Sequence, residues 1–194
     1  GITIRDPEED FNLPMFIAMD PPKHDDQRKV VSPVVAPMNL KELESTIRSR
    51  AGAIFDQLPR GETFNWVDKV SVELTTQMLA TLFDFPFDER RRLTRWSDVA
   101  TADENSGIIE SREHRRQELR ECLEFFTGLW NERANEEPKS DLISMLVHGQ
   151  STRDMDPMEY LGNLILLIVG GNDTTRNSIS GGVLALNQFP DEFR

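Results

Sequence analysis

One stretch near the end of the chain constrains the fold more than any other. From Asp156 to about Asn187 the sequence predicts one continuous helix, opened by Asp156-Pro157 and roughly 45 Å long. Its first half is apolar on nearly every side, which predicts burial, through Leu161, Leu164, Ile165, Leu167, Ile168 and Val169. A helix this apolar needs more protein packed against it.

The rest of the chain also carries helical periodicity. Apolar residues at steps of three and four, with capping residues and prolines between them, predict helices over about 21–31, 39–58, 66–83, 88–100, 110–136 and 141–149. The predicted capping residues include Asp20, Asn39 and Asp141. The predicted inward stripe of the helix over 66–83 comprises Val67, Val70, Leu74, Met78 and Leu82. The second of these has an apolar stripe from Leu40 to Leu58 that includes Ile47 and Phe55. No alternating strand pattern appears, and residues 1–20 read as a loop with a short helical turn. The predicted fold class is all-α.

The composition restricts the class of protein. A net charge of −12 and a pI of about 4.7 argue against binding to nucleic acids and to anionic membranes. The one cysteine, Cys122, permits no internal disulfide, and it lies on an apolar stripe as a core thiol. The longest apolar run, Leu164 to Val169, is too short to span a bilayer, and no signal segment opens the chain. We therefore expect a cytoplasmic protein.

The centre of the long helix reads Gly170-Gly171-Asn172-Asp173-Thr174-Thr175. Glycines and a buried carboxylate both destabilise such a helix, so a chemical purpose is indicated. Glycine leaves room for a flat cofactor or a bound diatomic molecule. The Thr174 hydroxyl can bond the Gly170 carbonyl and loosen the helix, and Asp173 can link the water held there to solvent as a proton relay.

Two other interpretations of this segment stay open. It could be a plain core helix with a break at Gly170-Gly171. It could also be a buried strand, a phosphate-binding loop and a second helix, as in a nucleotide-binding fold. The spacing matches neither Gly-x-Gly-x-x-Gly nor the Gly-Lys-Ser/Thr loop, and the chain supplies no alternating strands, so we disfavour the nucleotide site.

A second signal lies in Asp20-Pro21-Pro22, which opens a helix carrying His24 and Arg28. Four residues apart, these two side chains share one helix face and suit a carboxylate partner. The alternative is a solvated face with ion pairs of its own. His114 and His148 have no partner at metal-ligand spacing and read as surface residues, so we assign no metal ligand in this chain.

Together the two segments resemble the cytochromes P450. That family follows Asp-Pro-Pro-x-His-x-x-x-Arg, as residues 20–28 do, and later Ala/Gly-Gly-x-Asp/Glu-Thr-Thr, as residues 170–175 do. The resemblance implies a haem b cofactor and a mainly helical fold, of which residues 1–194 would be a single partial domain, truncated at both ends. The Glu-x-x-Arg helix and the cysteine loop of the family are absent, so the haem-ligating cysteine would lie outside this chain.

The resemblance also implies roles for individual residues. His24 and Arg28 would bond a haem propionate, and Gly170 and Gly171 would lie against the haem face. The acid–alcohol pair that delivers protons during oxygen activation would be Asp173 and Thr174.

A finer resemblance is to the bacterial alkane-hydroxylating group, through residues 16–22, 74–86 and 170–178. It implies hydroxylation of the terminal carbon of medium-chain alkanes, fatty acids or alcohols with O2. Electrons would come from NAD(P)H through a ferredoxin reductase and a ferredoxin. The apolar substrate would meet Phe16, Met19, Leu166 and Val169.

Three further expectations accompany this resemblance. The isolated chain should bind no haem stably and should be inactive. A non-catalytic all-helical scaffold or binding domain is one alternative. A P450 acting on another apolar substrate, or using the fold for a rearrangement or for ligand binding, is another.

Overall fold

The computed structural model describes residues 11–193, and the prediction for residues 1–10 lies outside this range. Within it the chain forms seven α-helices: α1 (Lys23–Val31), α2 (Pro37–Asp56), α3 (Glu73–Phe83), α4 (Arg91–Thr101), α5 (Arg112–Arg133), α6 (Leu142–His148) and α7 (Pro157–Gln188). Short 3-10 turns lie at Phe16–Ala18, Ser32–Val35, Phe87–Glu89 and Pro190–Phe193, and a π turn at Val67–Val72 precedes α3. The part described contains no strand, which confirms the all-α prediction.

The long helix α7 is the centre of the fold. It begins at Pro157 because the Asp156 carboxylate accepts hydrogen bonds from the backbone N–H groups of Met158 and Glu159, at 2.9 and 3.0 Å. Its first half is buried, as predicted, and the helix as a whole packs against α3, α4, α5 and the π turn. Its second half leaves Leu184 and other apolar side chains exposed. Over residues 11–192, no helix is both long and apolar enough to cross a membrane.

An aromatic cluster holds α4 and α5 beside α7. Trp96 of α4 and Phe126 of α5 lie with their ring centroids 5.8 Å apart, and Phe83 meets Phe126 edge-on at 5.6 Å. Cys122, one turn before Phe126, is fully buried, so the predicted core thiol is confirmed. Burial of these side chains fixes the register of α4, and with it the position of Ser97 on the side that faces α7.

A ladder of buried polar side chains joins α1 to α7. The Asn163 amide donates to Gln27 Oε1 at 3.0 Å, and the Gln27 amide donates to the Glu159 carboxylate. Lys23 donates to the same carboxylate at 2.7 Å. Asn163 Oδ1 also accepts the Phe16 N–H at 2.8 Å. These bonds satisfy groups that would otherwise be costly to bury, and they set the position of α1 relative to α7.

The predicted apolar stripe of α2 is present but is not buried. Ile54 is the one buried residue of this helix, whereas Leu40, Ile47 and Phe55 are 43%, 37% and 51% exposed. Periodicity indicates which side of a helix is apolar but not what covers it. Within residues 11–193, α2 is held to α3 partly through Arg50, which donates to the Thr81 hydroxyl and to the Gln77 carbonyl.

The starts of α1 and α2 also differ from prediction. The first helix begins at Lys23, with Pro22 rather than Asp20 at the capping position and no side-chain cap. The second begins at Pro37, and the predicted cap Asn39 lies inside it, donating instead to the Pro33 carbonyl at 2.6 Å. Proline at a first helical position lacks an N–H that would need a partner, which explains the early start of α2.

The buried face of α3 also differs from the one predicted from Val67, Val70, Leu74, Met78 and Leu82. Val67 is exposed, and the buried side comprises Val70, Ser71, Val72, Thr75, Thr76, Leu79, Ala80 and Phe83. A π turn holds more residues than an α turn, so the inward face shifts relative to an uninterrupted α-helical stripe. The two buried threonines bond backbone carbonyls of the preceding turn, which makes their burial tolerable.

Candidate active site

One side of α7 is open over the glycine-containing segment. Leu166, Gly170 and Thr174 follow one another at steps of four, and Val169 lies three residues after Leu166, so the four residues share this side. Leu166 and Val169 are partly buried against the core, and Gly170 and Thr174 are exposed. A Cβ built on Gly170 would meet no described atom within 4 Å. The open side can therefore take a flat group against the helix backbone.

The helix passes through this segment without a break. Residues 164–169 are helical, so neither a strand–loop–helix arrangement nor a helix interrupted at Gly170-Gly171 is present. The Thr174 hydroxyl donates to the Gly170 carbonyl at 2.8 Å, which confirms the predicted bond. That bond orients the hydroxyl and leaves its oxygen lone pairs available on the open side.

The Asp173 carboxylate is held by two residues that were not among the predicted site residues. Its Oδ1 atom accepts from Arg176 Nη2 at 2.8 Å and from Ser97 Oγ of α4 at 3.1 Å. Arg176 Nη1 in turn donates to Asp98 Oδ1, also of α4, at 3.0 Å. No hydrogen bond joins Asp173 to Thr174 in the described part of the chain.

The two residues between Gly170 and Asp173 pack against α3. A Cβ on Gly171 would lie 2.6 Å from Leu79 Cδ2, so this glycine permits close contact between α7 and α3. Asn172 is fully buried, accepts from the Thr75 hydroxyl at 3.1 Å and makes a long contact of 3.4 Å to Asp173 Oδ1. Gly171 and Asn172 therefore have structural reasons for their identity.

On α1, His24 and Arg28 offer donors for an anionic group. His24 Nδ1 lies 2.7 Å from the Phe16 carbonyl, which can only accept, so Nδ1 carries the proton. Nε2 then donates to a carboxylate only when the ring carries both protons. Arg28 is exposed, and no side chain among residues 11–192 pairs with its guanidinium group.

The four predicted substrate contacts occupy two places. Leu166 and Val169 lie on the open side of α7. Phe16 is buried in the core with its ring centroid 6.1 Å from that of His24, and Met19, three residues later, is partly buried. The bond from the Phe16 N–H to Asn163 ties this second place to α7.

The other titratable residues build no metal site in the part of the chain that is described. His114 and His148 are half-buried rather than fully exposed, with Nε2 atoms 3.5 Å from Glu118 Oε1 and 3.1 Å from the Arg133 carbonyl. Over the described residues no group of three or more His, Cys, Asp or Glu side chains could hold a metal ion.

Comparison with known proteins identifies the family. No protein-family model matches the chain. Linalool 8-monooxygenase of Pseudomonas putida is 34% identical over 180 residues, which are 92% of this chain and 44% of that protein. Steroid C26-monooxygenase of Mycolicibacterium smegmatis is 31% identical over 185 residues, or 95% of this chain and 43% of that protein.

Solved structures agree with these relatives. Cytochrome P450-153 from Novosphingobium aromaticivorans superposes with a TM-score of 0.83 at 48% identity, over 98% of this chain and 48% of that chain. The chain belongs to the cytochrome P450 superfamily. The P450 named CYP153D17 from Sphingomonas sp. PAMC 26605 gives a TM-score of 0.85 at 50% identity, over 97% of this chain and 47% of that chain. The chain thus spans less than half the length of the P450s it matches.

Membership of the P450 superfamily implies a haem group, and the geometry of α1 and α7 fits one. The space beside Gly170 suits a flat ring, and the exposed Thr174 hydroxyl adjoins that space. The exposed guanidinium group of Arg28, which pairs with no side chain among residues 11–192, and the imidazole of His24 suit acidic substituents. Cys122 does not fit the role of sulfur ligand, because it is buried within α5.

Proposed function

We propose that this chain is part of a haem-dependent monooxygenase that hydroxylates the terminal carbon of medium-chain alkanes, fatty acids or alcohols. The observation that carries the proposal is the centre of α7, where the Thr174 hydroxyl lies on an open glycine side and Asp173 lies beside it in the sequence. The choice of substrate is supported by the resemblance to alkane hydroxylases and by the identity of about half to the two P450s of the 153 group.

In this proposal the chain contributes part of the haem site. His24 and Arg28 would bond the propionates of haem b, and Gly170 would allow the ring to approach α7, whereas Gly171, which was also predicted to lie against the haem, packs against Leu79 of α3. When bound, haem activates O2 with electrons that come from NAD(P)H through a ferredoxin reductase and a ferredoxin. Burial raises the pKa of the Cys122 thiol well above its ordinary value, so it stays protonated and supplies no thiolate. The sulfur ligand would come from residues beyond the single partial domain formed by 1–194.

Thr174 and Asp173 would move protons to the reacting oxygen. A proton from solvent reaches the Asp173 carboxylate and passes by water to the Thr174 hydroxyl. The Thr174 hydroxyl would turn its proton from the Gly170 carbonyl toward the reacting oxygen, give that proton to the oxygen, and take the next proton from the water. Leu166 and Val169, with Met19 and Phe16, would exclude water and hold an apolar chain that offers no group for hydrogen bonding.

The test uses the haem-loaded enzyme that contains this chain, with ferredoxin, ferredoxin reductase and octane. We expect 1-octanol as the main product.

Thr174→Ala should lower the product formed per NAD(P)H by roughly tenfold, with hydrogen peroxide in its place, because proton delivery is impaired. Thr175→Ala is the matched control: this neighbour is exposed, makes no described side-chain hydrogen bond, and should leave the ratio unchanged. Unchanged coupling in Thr174→Ala would refute the relay, and absence of terminal alcohol would refute the substrate.

A second candidate is a P450 that oxidises another apolar substrate. The observation in its favour is the 34% identity to linalool 8-monooxygenase across 92% of this chain. Turnover of linalool with no turnover of octane would favour this candidate. Failure of the whole enzyme to take up haem would instead favour the non-catalytic scaffold.

A further inference from the structure

Asp173 is bonded through one oxygen atom only. Arg176 and Ser97 both donate to Oδ1, and no side chain or backbone group in the described part of the chain donates to Oδ2. The carboxylate is not sealed in the core, since its side chain is 21% exposed. One oxygen atom is therefore fixed by the protein, and the other is available to water.

Arg176 is itself fixed from a different helix. Its side chain is 17% exposed, and its guanidinium group bonds Asp173 Oδ1 through Nη2 and Asp98 Oδ1 through Nη1. A planar guanidinium group can hold two carboxylates at once in a set orientation, which a flexible ammonium group cannot. Since Asp98 belongs to α4, the orientation of Asp173 depends on how α4 packs against α7.

We propose that Arg176, anchored by Asp98, is the positioning residue that holds Asp173 by Oδ1 and keeps Oδ2 free for proton transfer. This inference rests on the proposed function, because it gives a partner to the acid of that relay. In this arrangement Arg176 acts through Asp173, so its role is positional.

The charges of the three residues make the arrangement suitable for repeated proton transfer. With Asp173 ionised, two carboxylates share one guanidinium group. A proton that arrives from water binds Oδ2, forming an O–H bond, and later leaves by breaking that bond as it passes to the next water. Asp98 keeps its pairing with Arg176 in both states, so the anchor does not dissociate when Asp173 becomes neutral.

A purely structural role would also explain these contacts, since the ion pairs fasten α4 to α7. The two roles predict different results for Asp98→Asn. If the ion pairs of Arg176 with Asp98 and Asp173 only stabilise the packing of α4 on α7, the variant loses thermal stability and proton delivery is unaffected. If Arg176 positions Asp173, proton delivery and the bonding of the Asp173 carboxylate change, whatever happens to thermal stability.

The experiment compares Asp98→Asn and Arg176→Lys in the haem-loaded enzyme. We expect product per NAD(P)H to fall by roughly tenfold in both, because a misplaced acid loses part of the effect of general acid catalysis. A second readout is infrared difference spectroscopy. The bands that vanish in Asp173→Asn identify the Asp173 carboxylate, and we expect them to shift when its bonding to Oδ1 changes.

The matched control is Asp68→Asn, which removes a carboxylate that is paired with Arg91 at 3.2 Å and has no described bond to Asp173 or Arg176. It should leave both readouts as in the wild type. Wild-type coupling and wild-type infrared bands in Asp98→Asn and Arg176→Lys would overturn the inference. If Thr174→Ala uncouples the enzyme in the same assay, wild-type behaviour of the Asp98 and Arg176 variants refutes the positioning role of Arg176 but not the proposed relay. If Thr174→Ala does not, the proposed relay fails as well.

Discussion

At the scale of single residues, Cys122 gives a direct test of the core. Its side chain is fully buried, and burial raises the pKa of the thiol well above its ordinary value. Because the thiolate is the reactive form, alkylation by iodoacetamide at pH 8 should be slower in the native protein than in the guanidinium-unfolded chain by on the order of a hundredfold or more. Labelling followed by mass spectrometry measures both rates. Equal rates would mean that α5 is not packed as described.

Residues differ in how far their contacts could be predicted. The bond from Thr174 to Gly170 was predicted because it joins positions four apart on one helix. The bond from Ser97 to Asp173 joins positions 76 apart, and that from Arg176 to Asp98 joins positions 78 apart. A single sequence contains no information about such pairs. Arg176 three residues after Asp173 was the one local signal for the anchor.

At the scale of elements, α7 offers a matched pair of glycine substitutions. A Cβ on Gly162 would lie 2.0 Å from the Pro14 carbonyl oxygen, whereas one on Gly181 would meet nothing within 4 Å. Gly162→Ala should lower the free energy of unfolding by about 2 kcal/mol or more, because backbone has to move. Gly181→Ala should raise it by about 1 kcal/mol through helix propensity alone. Urea denaturation of the haem-loaded enzyme measures both, and equal effects would contradict the close contact at Gly162.

The elements themselves were predicted with uneven success for a physical reason. Two of the three helix starts with a side-chain cap, at Asp141 and Asp156, were found where predicted, because the signal and the bond lie within three residues of each other. The prediction of the buried face of α3 was wrong because no local signal in the sequence marks the π turn before this helix. The stripe of α2 was real, yet its exposure depends on which other parts of the protein reach it.

At the scale of the whole molecule, the all-α architecture around α7 followed from the sequence, since apolar periodicity and a buried central helix leave few arrangements. The relative position of the two parts of the candidate site did not follow. His24 and Arg28 lie on α1, and Thr174 lies on α7. The polar ladder through Asn163 joins the two helices. In the sequence Asn163 is only one polar residue among apolar residues, and nothing there indicates its partners.

That ladder leads to a prediction about the whole site. Asn163→Leu would leave the buried Phe16 N–H and Gln27 Oε1 without their partners, now at 2.8 and 3.0 Å. The free energy of unfolding should fall by about 2–4 kcal/mol, since each unpaired buried group costs about 1–3 kcal/mol. The Phe16 carbonyl also orients His24, so the loosened turn should release haem faster to apomyoglobin.

Asn187→Leu is the control, because Asn187 is exposed near the end of the same helix and bonds only the Val183 carbonyl among the described residues. Its effect on stability should stay within about 0.5 kcal/mol, with haem release unchanged. If Asn163→Leu loses stability but keeps wild-type haem release, the ladder supports the fold without positioning α1 for the cofactor. If the two variants behave alike, the ladder does neither, and the packing of apolar side chains alone holds α1 on α7.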